Sequence, residues 1–249
     1  MSIRFKNVSK NFGTKSVLND ITFEASPGEI LFILGKSGMG KSVTLKHIVG
    51  LLRPDRGAVF VDNEDVSILS EAALVPIRKK CGMVFQHPAL LDSLNIFENV
   101  SFGLKPLGLS STELRSRVLE ILSLVHLGED VLTKRPPEIS YGMQKRVSLA
   151  RTLAPGPRYL LFDEPTTGLD PITTQAVNDL IQTLSRKLKV TSLVVSHDMG
   201  CALQIADRIL VLDQGKILAL SSVNEIIASK EPLIRDFLSE TLQNLQGQL

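Results

Sequence analysis

The sequence contains no tryptophan, only two cysteines, and no apolar run near the roughly 18 residues needed to cross a bilayer. Cys81 and Cys201 lie far apart and outside any Cys-x-x-Cys spacing. We expect them to be reduced core thiols rather than disulfide or metal ligands. The amino terminus also lacks the apolar stretch of a signal peptide. These absences predict a cytoplasmic chain that meets a membrane only through a partner.

An excess of charge of one sign is absent as well. The chain has 28 Lys and Arg against 26 Asp and Glu, a formal net charge of +2. Because a surface that follows nucleic-acid phosphates usually carries a strong basic excess, we expect no nucleic-acid partner. The hydrophobic share of 43% and the length of 249 residues are typical of one large globular domain.

Strand and helix signals alternate along most of the chain. The opening predicts antiparallel strands, with apolar alternation from Ile3, a turn at Gly13-Thr14 and a second strand through Phe23. A buried strand follows at residues 30–34, then a helix from Lys41 to about Leu51. Further short strands are predicted at residues 58–61, 83–85, 159–162, 191–195 and 209–212. This order indicates an α/β fold with a parallel-sheet core.

Residues 87–137 follow a helical pattern instead. Ser110 and Glu113 have the spacing of a capping box ahead of apolar residues at helical intervals, namely Leu114, Val118, Ile121, Leu122 and Val125. We predict a helical subdomain at residues 87–137, inserted between the two parts of an α/β core with its β subdomain, residues 1–86 and 138–230.

A helical tail is predicted at residues 231–249. Its leucines fall on one helical face, at Leu238, Leu242, Leu245 and Leu249. An apolar stripe at a terminus docks either on its own domain or on another subunit. Both possibilities stay open from the sequence.

The strongest motif is a G-x-x-x-x-G-K-[ST] sequence directly after the apolar strand at residues 30–34. Its glycines let the backbone approach phosphates closely, because a side chain would clash or exclude the required torsions. The lysine of such a P-loop reaches the β- and γ-phosphates, and the hydroxyl after it binds Mg²⁺. The sequence therefore predicts ATP binding by Gly35, Lys36, Ser37, Gly38, Met39, Gly40, Lys41 and Ser42, with Ser42 also a metal ligand.

A second apolar strand, at residues 159–162, ends in two adjacent carboxylates. After a P-loop, this arrangement fits a Walker B strand. We predict that Asp163 holds Mg²⁺ through water and that Glu164 polarises the attacking water as the general base.

Four further elements stand in the order of the Q-loop, signature, D-loop and switch histidine of ABC ATPases. They are Phe85-Gln86, the Ile-Ser-Tyr-Gly-Met run at residues 139–143, Gly168-Leu169-Asp170 and Ser196-His197-Asp198. The chain resembles this family from about residue 3 to residue 229. The resemblance implies the P-loop NTPase fold of ABC ATPases, with a parallel-sheet core, an antiparallel β subdomain and an inserted helical subdomain. It also implies that two copies of the chain hold two ATP molecules between them.

The resemblance assigns a role to each element. Gln86 would contact Mg²⁺ and sense the transport domain, and His197 would hydrogen-bond the γ-phosphate. Ser140 and Gly142 would bind the γ-phosphate of ATP held by the opposite protomer. Asp170 would cross the interface between the two copies.

Two aromatic residues, Phe12 and Tyr141, lie in or near these motifs. Phe12, just before a turn, is similar to the aromatic that stacks on adenine, although an aromatic beside a hairpin turn is often core packing. Tyr141 is one of three departures from the usual LSGGQ signature, together with Ile139 and Met143. It puts a bulky side chain where the family often has glycine, and its effect on closure of the dimer stays open.

Within the family, the chain resembles the ATPases of Mce-type lipid transporters, the Mla-like systems. The resemblance rests on Gly142-Met143 with Lys145-Arg146, and on residues 85–86, 89–91, 95–100, 170–173 and 232–238. It implies an ATPase subunit for phospholipid or other lipid transport at the cytoplasmic face of the inner membrane. Its partners would be an integral membrane permease, an Mce-domain lipid-binding protein and a small accessory subunit. Two alternatives remain: the ATPase of a small-solute importer, such as one for amino acids, and a non-transport ABC ATPase of the cell-division type.

Overall fold

A computed structural model of the protein describes residues 2–246, with side chains as far as Thr241. Its largest sheet has six strands in the spatial order β10-β9-β3-β8-β7-β6, which are Lys216–Ser222, Arg208–Asp213, Ile30–Leu34, Thr191–Ser196, Tyr159–Asp163 and Cys81–Val84. All neighbouring pairs are parallel except β9 and β10. The predicted parallel-sheet core is confirmed.

A second, antiparallel sheet contains the amino terminus. Its order is β2-β1-β4-β5, with β1 at Ile3–Phe12, β2 at Lys15–Ala25, β4 at Arg56–Val61 and β5 at Glu64–Asp65. The hairpin of β1 and β2 turns at Gly13, whose φ of 60° lies in the left-handed region that glycine adopts freely. The predicted antiparallel β subdomain is confirmed.

Strand β3 is buried on both of its faces. Alternate side chains enter different apolar clusters, with Ile30, Phe32 and Leu34 in one and Leu31 and Ile33 in the other. Successive side chains of a strand point to opposite faces, so a strand between two packed layers needs apolar residues at every position. Burial on both faces therefore explains why the run before the P-loop is apolar at every position.

Helices cover both faces of the six-stranded sheet. The helices are α1 Lys41–Ile48, α2 Glu71–Lys80, α3 Ile96–Ser101, α4 Ser111–Leu124, α5 Tyr141–Leu153, α6 Pro171–Leu188, α7 Met199–Ile205, α8 Val223–Ile227 and α9 Pro232–Gln246. Short 3₁₀ segments occupy Phe102–Leu107, Glu129–Val131 and Pro136–Glu138. Helices α1 and α2 share an apolar cluster with the antiparallel sheet, whereas α3 to α7 and α9 pack in the other cluster. No helix within residues 2–246 is long and apolar enough to cross a membrane.

The helix after the P-loop is shorter than predicted. It ends at Ile48 rather than near Leu51, because Gly50 turns the chain with a φ of 65°. The amides of Gly50 and Leu51 then donate to the carbonyls of His47 and Lys46. These bonds satisfy the last helical carbonyls, as in a Schellman-type end.

The two cysteines differ in burial. Cys201 is 4% exposed and is a core thiol, as expected. Cys81 begins β6 at the edge of the sheet, where it is partly buried and packs against the smaller apolar cluster. Both thiols are free, and burial raises the pKa of each to about 12.

The capping box of Ser110 and Glu113 opens α4, and its apolar face is buried at Val118, Ile121 and Leu122. Helix α9 forms the tail, and its buried residues Ile234, Phe237 and Leu238 belong to the larger apolar cluster. The side chains of Leu242 and Leu245, and all of Leu249, lie outside the described residues. The division of the chain at residues 87, 138 and 231 stays a prediction.

Candidate active site

Four neighbouring strands end at one edge of the parallel sheet, and each leads to a predicted site residue. The P-loop follows β3, Asp163 ends β7, and His197 comes directly after β8. Gln86 lies two residues beyond β6. Open α/β sheets bind ligands at the carboxyl ends of their strands. The topology therefore collects residues that are far apart in the sequence.

A cleft of about 700 Å³ opens at this edge. It is lined by residues from the P-loop and its helix, from three other strand ends, from the first hairpin and from α9: Phe12, Val17, Lys36, Ser37, Gly38, Gly40, Lys41, Ser42, Val43, Gln86, Glu164, Thr167, His197, Phe237 and Glu240. Most of the predicted site residues are thus brought together. The volume is in the usual range of small-molecule sites.

The P-loop backbone has no room for side chains at two of its glycines. A Cβ on Gly40 would lie 2.8 Å from the carbonyl oxygen of Val17, and φ at Gly40 is 98°. A Cβ on Gly35 would lie 2.4 Å from the carbonyl oxygen of Leu212. Gly35 therefore packs against β9 rather than lining the cleft. Met39 also points away from the cleft, since its sulfur accepts a bond from the amide of Gln214 at 3.3 Å.

Lys41 is held by the loop that precedes it. Its Nζ donates to the carbonyl oxygens of Gly35 at 2.7 Å and Lys36 at 3.1 Å. The same atom lies 3.3 Å from Glu164 Oε1. Only 6% of Lys41 is exposed, so its charge is fixed at the floor of the cleft. A partly dehydrated ammonium among backbone groups is suited to bind phosphate.

Oxygen ligands suited to a hard cation lie close together beside Lys41. Ser42 Oγ donates to Asp163 Oδ1 at 2.7 Å, which joins the P-loop helix to the end of β7. Within residues 2–246, no cluster of three His, Cys, Asp or Glu could hold a metal ion. Mg²⁺ is usually bound by one or two protein oxygens together with substrate phosphates and water. The hydroxyl and carboxylate present here fit that ion.

Glu164 is constrained both in its side chain and in its backbone. Its Oε2 lies 2.9 Å from His197 Nδ1 and accepts a bond of 3.1 Å from the hydroxyl of Thr167. Its backbone has a φ of 50°, in the left-handed region. Such a conformation costs about 1–3 kcal/mol in a residue other than glycine and persists only where the surroundings enforce it. The amide of Glu164 donates to Val195 at 2.9 Å, which contributes to that enforcement.

Phe12 ends β1 with 47% of its surface exposed and lines the cleft. Lys10 Nζ lies 5.6 Å from the centre of its ring. The ring is not core packing, and its exposure suits it to stack on a flat ligand.

Besides Gly35, Met39 and Asp163, three further predicted site residues do not line the cleft. Ser140 begins α5 and its hydroxyl accepts a bond from the amide of Met143. Asp170 begins α6 and accepts bonds from the hydroxyl of Thr173 at 2.6 Å and its amide at 3.0 Å, which hold the pKa of Asp170 below its usual value. A Cβ on Gly142 would be 3.3 Å from Thr173 Cγ2. The signature and the D-loop therefore meet on a surface of their own.

Some residues of the cleft had no sequence signal. Phe237 and Glu240 come from α9, far along the chain from the nucleotide-binding motifs. Val17 belongs to β2 and also lay outside the predicted set. Thr167 lies three residues after Glu164, and that interval could have indicated a side-chain contact across a turn.

Comparisons with known proteins agree with this geometry. A family model described as ABC transporter matches residues 18–167. The methionine import ATP-binding protein MetN of Clostridioides difficile (strain 630) is 38% identical over 238 residues, which cover 96% of this chain and 74% of that protein. The probable ribonucleotide transport ATP-binding protein mkl of Mycobacterium leprae is 38% identical over 240 residues, covering 96% of this chain and 69% of that protein.

Solved structures are similar over nearly the whole fold. The ATP-binding cassette MJ0796, a dimer in a post-hydrolysis state bound to ADP and Pi, has a TM-score of 0.80 and 33% identity, covering 89% of this chain and 98% of that one. The cbiO1 protein of Clostridium perfringens, part of the transporter complex cbiONQ, has a TM-score of 0.84 and 27% identity, covering 99% and 98%.

The P-loop, the strand order and the cleft define a P-loop nucleoside triphosphatase. The family match and the relatives are more specific: the chain belongs to the ABC transporter ATPases. It is an ATPase that uses ATP and Mg²⁺.

Proposed function

We propose that this protein is the ATPase subunit of an ABC transporter that moves phospholipid or another lipid through an Mce-type system. The cleft carries the catalytic part of the proposal, because it joins Lys41, the Ser42–Asp163 pair and the Glu164–His197 pair. The assignment of a lipid as the cargo rests on the sequence features shared with Mce-type ATPases, chiefly Gly142-Met143 followed by Lys145-Arg146.

The charges in the cleft support a separate role for each residue. Lys41 binds the β- and γ-phosphates, and the backbone amides of the P-loop surround them. Ser42 and Asp163 hold Mg²⁺, with Gln86 as a further contact. When bound, Mg²⁺ neutralises charge on the phosphates. Phe12 stacks on the adenine.

Glu164 accepts the proton of the attacking water, and His197 bonds the γ-phosphate. The 2.9 Å contact between them keeps the carboxylate aimed into the cleft. Thr167 supports the same oxygen with its hydroxyl. A general base held in this manner needs little rearrangement at the moment of reaction.

The signature surface supports a head-to-tail dimer. Ser140, Gly142 and Asp170 have no place in the cleft of their own chain, so they act on the ATP of a second copy. Ile172 beside them is 84% exposed, and such an apolar side chain at the start of a helix suits an interface. The dimeric cassette MJ0796 is similar in fold. An integral membrane permease would hold the dimer at the cytoplasmic face of the inner membrane.

A small-solute importer is the second candidate function. The relative named for methionine import, with 38% identity, favours it directly. The non-transport ATPase of the cell-division type is the third reading, and no observation on the structure favours it.

Partner identification separates these functions. The tagged protein would be isolated with its native membrane complex, in mild detergent, from the cells that produce it. A permease with an Mce-domain protein supports lipid transport, and stimulation of ATPase activity by phospholipid vesicles should accompany it. A permease with a soluble solute-binding protein, and stimulation by an amino acid instead, would overturn the lipid assignment. A complex without any permease would favour a non-transport ABC ATPase.

A further inference from the structure

A buried lysine outside the cleft holds the loop that carries the catalytic carboxylate. Lys145 lies on α5, two residues after the signature, and only 8% of it is exposed. Its Nζ donates to the carbonyl oxygens of Pro165 at 2.6 Å and Thr167 at 3.3 Å. Pro165 follows Glu164 directly, and Thr167 lies three residues after Glu164. The ammonium therefore fixes the backbone on the carboxyl side of the proposed base.

The bonds of Lys145 replace the usual partner of a buried charge. No carboxylate among the described residues forms an ion pair with Lys145, and burial lowers its pKa. Burying an ammonium is costly unless other groups satisfy it. Here two carbonyl dipoles do so, and both belong to one loop. Because both hydrogen bonds of the buried charge go to this loop, we take its retention as evidence that the geometry of the loop is required.

That loop needs external support, because it contains strain. Glu164 has a φ of 50°, and the amide of Thr167 donates back to the carbonyl of Glu164 at 3.3 Å. The hydroxyl of Thr167 also bonds Glu164 Oε2 at 3.1 Å. Lys145, by fixing the carbonyl of Thr167, orients the residue that orients the carboxylate. A chain of direct contacts thus runs from α5 to the cleft.

Tyr141 extends the chain of contacts in the other direction. Its ring lies under Lys145, with Nζ 5.5 Å from the ring centre. Its hydroxyl donates to the carbonyl oxygen of Gln86 at 3.5 Å and lies 3.3 Å from His87 Nδ1. The unusual residue of the signature therefore bridges the Q-loop segment and the buried lysine. A glycine at position 141 could make neither contact.

We propose that Lys145 is a positioning residue for ATP hydrolysis, which holds the Glu164–Thr167 loop, and that Tyr141 links this anchor to the Gln86–His87 segment. The inference concerns ATP hydrolysis itself and does not depend on the cargo. Movement of the Q-loop would be transmitted to Glu164 by the successive contacts of Tyr141, Lys145 and Thr167. Tyr141 therefore has a function in this chain beyond filling a position of the signature.

The first test separates hydrolysis from binding in the Lys145→Met variant. Methionine keeps the length of the side chain but donates no bond. We expect kcat to fall about tenfold, the value of a hydrogen bond to a charged group, while the Kd for ATP stays within about twofold. Lys80→Met is the matched control, because Lys80 is also bonded to oxygens, those of Asp62 and Glu64, but lies away from the cleft. A kcat within twofold of the wild type in folded Lys145→Met would overturn the proposal.

Variants of Tyr141 test the link to the Q-loop and cover the case in which Lys145→Met does not fold. Tyr141→Phe removes only the hydroxyl, and we expect a fall in kcat of about threefold. Tyr141→Leu removes the ring as well and should lower kcat further, toward that of Lys145→Met. Tyr159→Phe is the control, since its hydroxyl bonds Asp62 at 2.5 Å and its loss should affect stability alone. Unchanged kcat in Tyr141→Leu would contradict the proposal whatever the fate of Lys145→Met.

The double variant Tyr141→Leu with Lys145→Met decides whether the two residues act together. Residues of one network give non-additive losses. We expect the double variant to be no slower than Lys145→Met, whereas multiplied losses would show independent effects and refute the link. Wild-type activity is measured in parallel, so that failure of the proposed function can be distinguished from failure of the proposal for Lys145 and Tyr141. An inactive wild type would count against that function, and slow variants beside an active wild type bear on Lys145 alone.

Discussion

Lys41 Nζ lies 3.3 Å from Glu164 Oε1, so the P-loop lysine and the proposed general base are in direct contact. The other oxygen of the same carboxylate is 2.9 Å from His197 Nδ1. Glu164 is thus placed between the cation proposed to bind phosphate and a histidine at the mouth of the cleft. A change at one of these groups should affect binding and hydrolysis differently.

Replacement of Glu164 by glutamine should separate these two steps. The amide keeps the shape of the side chain but cannot accept the proton of the attacking water. We expect ATP binding to persist and hydrolysis to slow by about 10²–10⁴-fold, the usual contribution of a positioned base. An ATP-bound dimer should accumulate as a result. Single-turnover hydrolysis and gel filtration in ATP measure both effects.

The matched control is Glu120→Gln, because Glu120 lies on α4 in an exposed pair with Arg117. It should leave turnover unchanged. Unchanged turnover in Glu164→Gln itself would remove Glu164 from the mechanism.

Lys41→Ala should abolish nucleotide binding. The substitution removes the main counter-charge of the β- and γ-phosphates, and charge-assisted bonds are among the strongest in such a site. Calorimetric titration with ATP gives the affinity. Lys46→Ala serves as the control, since Lys46 is exposed on the same helix. Equal affinities in the Lys41→Ala variant and the wild type would show that phosphate binds elsewhere.

The signature should act in trans. A Ser140→Ala chain lacks a working signature and a Lys41→Ala chain lacks a working P-loop, so each alone should be inactive. A mixed dimer would contain one complete site, with Lys41 from one chain and Ser140 from its partner. We expect partial recovery of ATPase activity on mixing. Absence of recovery, with mixed dimers demonstrated by differential tagging, would argue against the head-to-tail arrangement.

His47 should make stability depend on pH. It is fully buried on α1, and burial lowers its pKa below the ordinary value of 6.5. Its Nδ1 lies 2.7 Å from the carbonyl oxygen of Val43, and its Nε2 has no partner. Because the unfolded chain takes up a proton more readily than the folded one, stability is fully present above pH 6.5 and is lost as pH falls below it.

Urea unfolding between pH 5 and pH 8 measures this effect. His47→Leu removes the titrating group and should flatten the pH dependence of the midpoint. His126→Asn is the control, since His126 is exposed and asparagine tolerates its positive φ of 55°. An unchanged slope in His47→Leu would assign the acid sensitivity to another group.

The carboxyl-terminal tail should contribute to assembly more than to folding. Removal of residues 239–249 keeps the buried residues Ile234, Phe237 and Leu238. We expect the thermal midpoint of the monomer to shift by no more than about 2 °C, while association weakens. Phe237→Ala in the full chain provides the contrast, with an expected loss of about 3–5 kcal/mol. A lower monomer midpoint with intact association would mean that the tail docks only on its own domain.

Local signals accounted for much of the site. The P-loop and the two carboxylates at the end of β7 could be predicted because their spacing along the chain is itself the chemical requirement. The end of α1 was less predictable: Gly50 stops the helix before Leu51, although no proline comes until Pro54. A glycine can lie within a helix or end it, and the sequence alone does not show that Gly50 adopts the positive φ of 65° that ends α1.

The sequence by itself determined the family, the order of the motifs and the strands that carry them, since these depend on residues close together in the chain. Only the tertiary structure decided that Phe237 and Glu240 line the cleft and that Lys145 holds the loop after Glu164. It also decided that Tyr141 contacts the Q-loop segment, 54 residues earlier at His87. These contacts join residues far apart in the chain, and no periodicity or spacing encodes them. They exist because parallel strands bring their carboxyl ends to one edge, where packing brings distant side chains together.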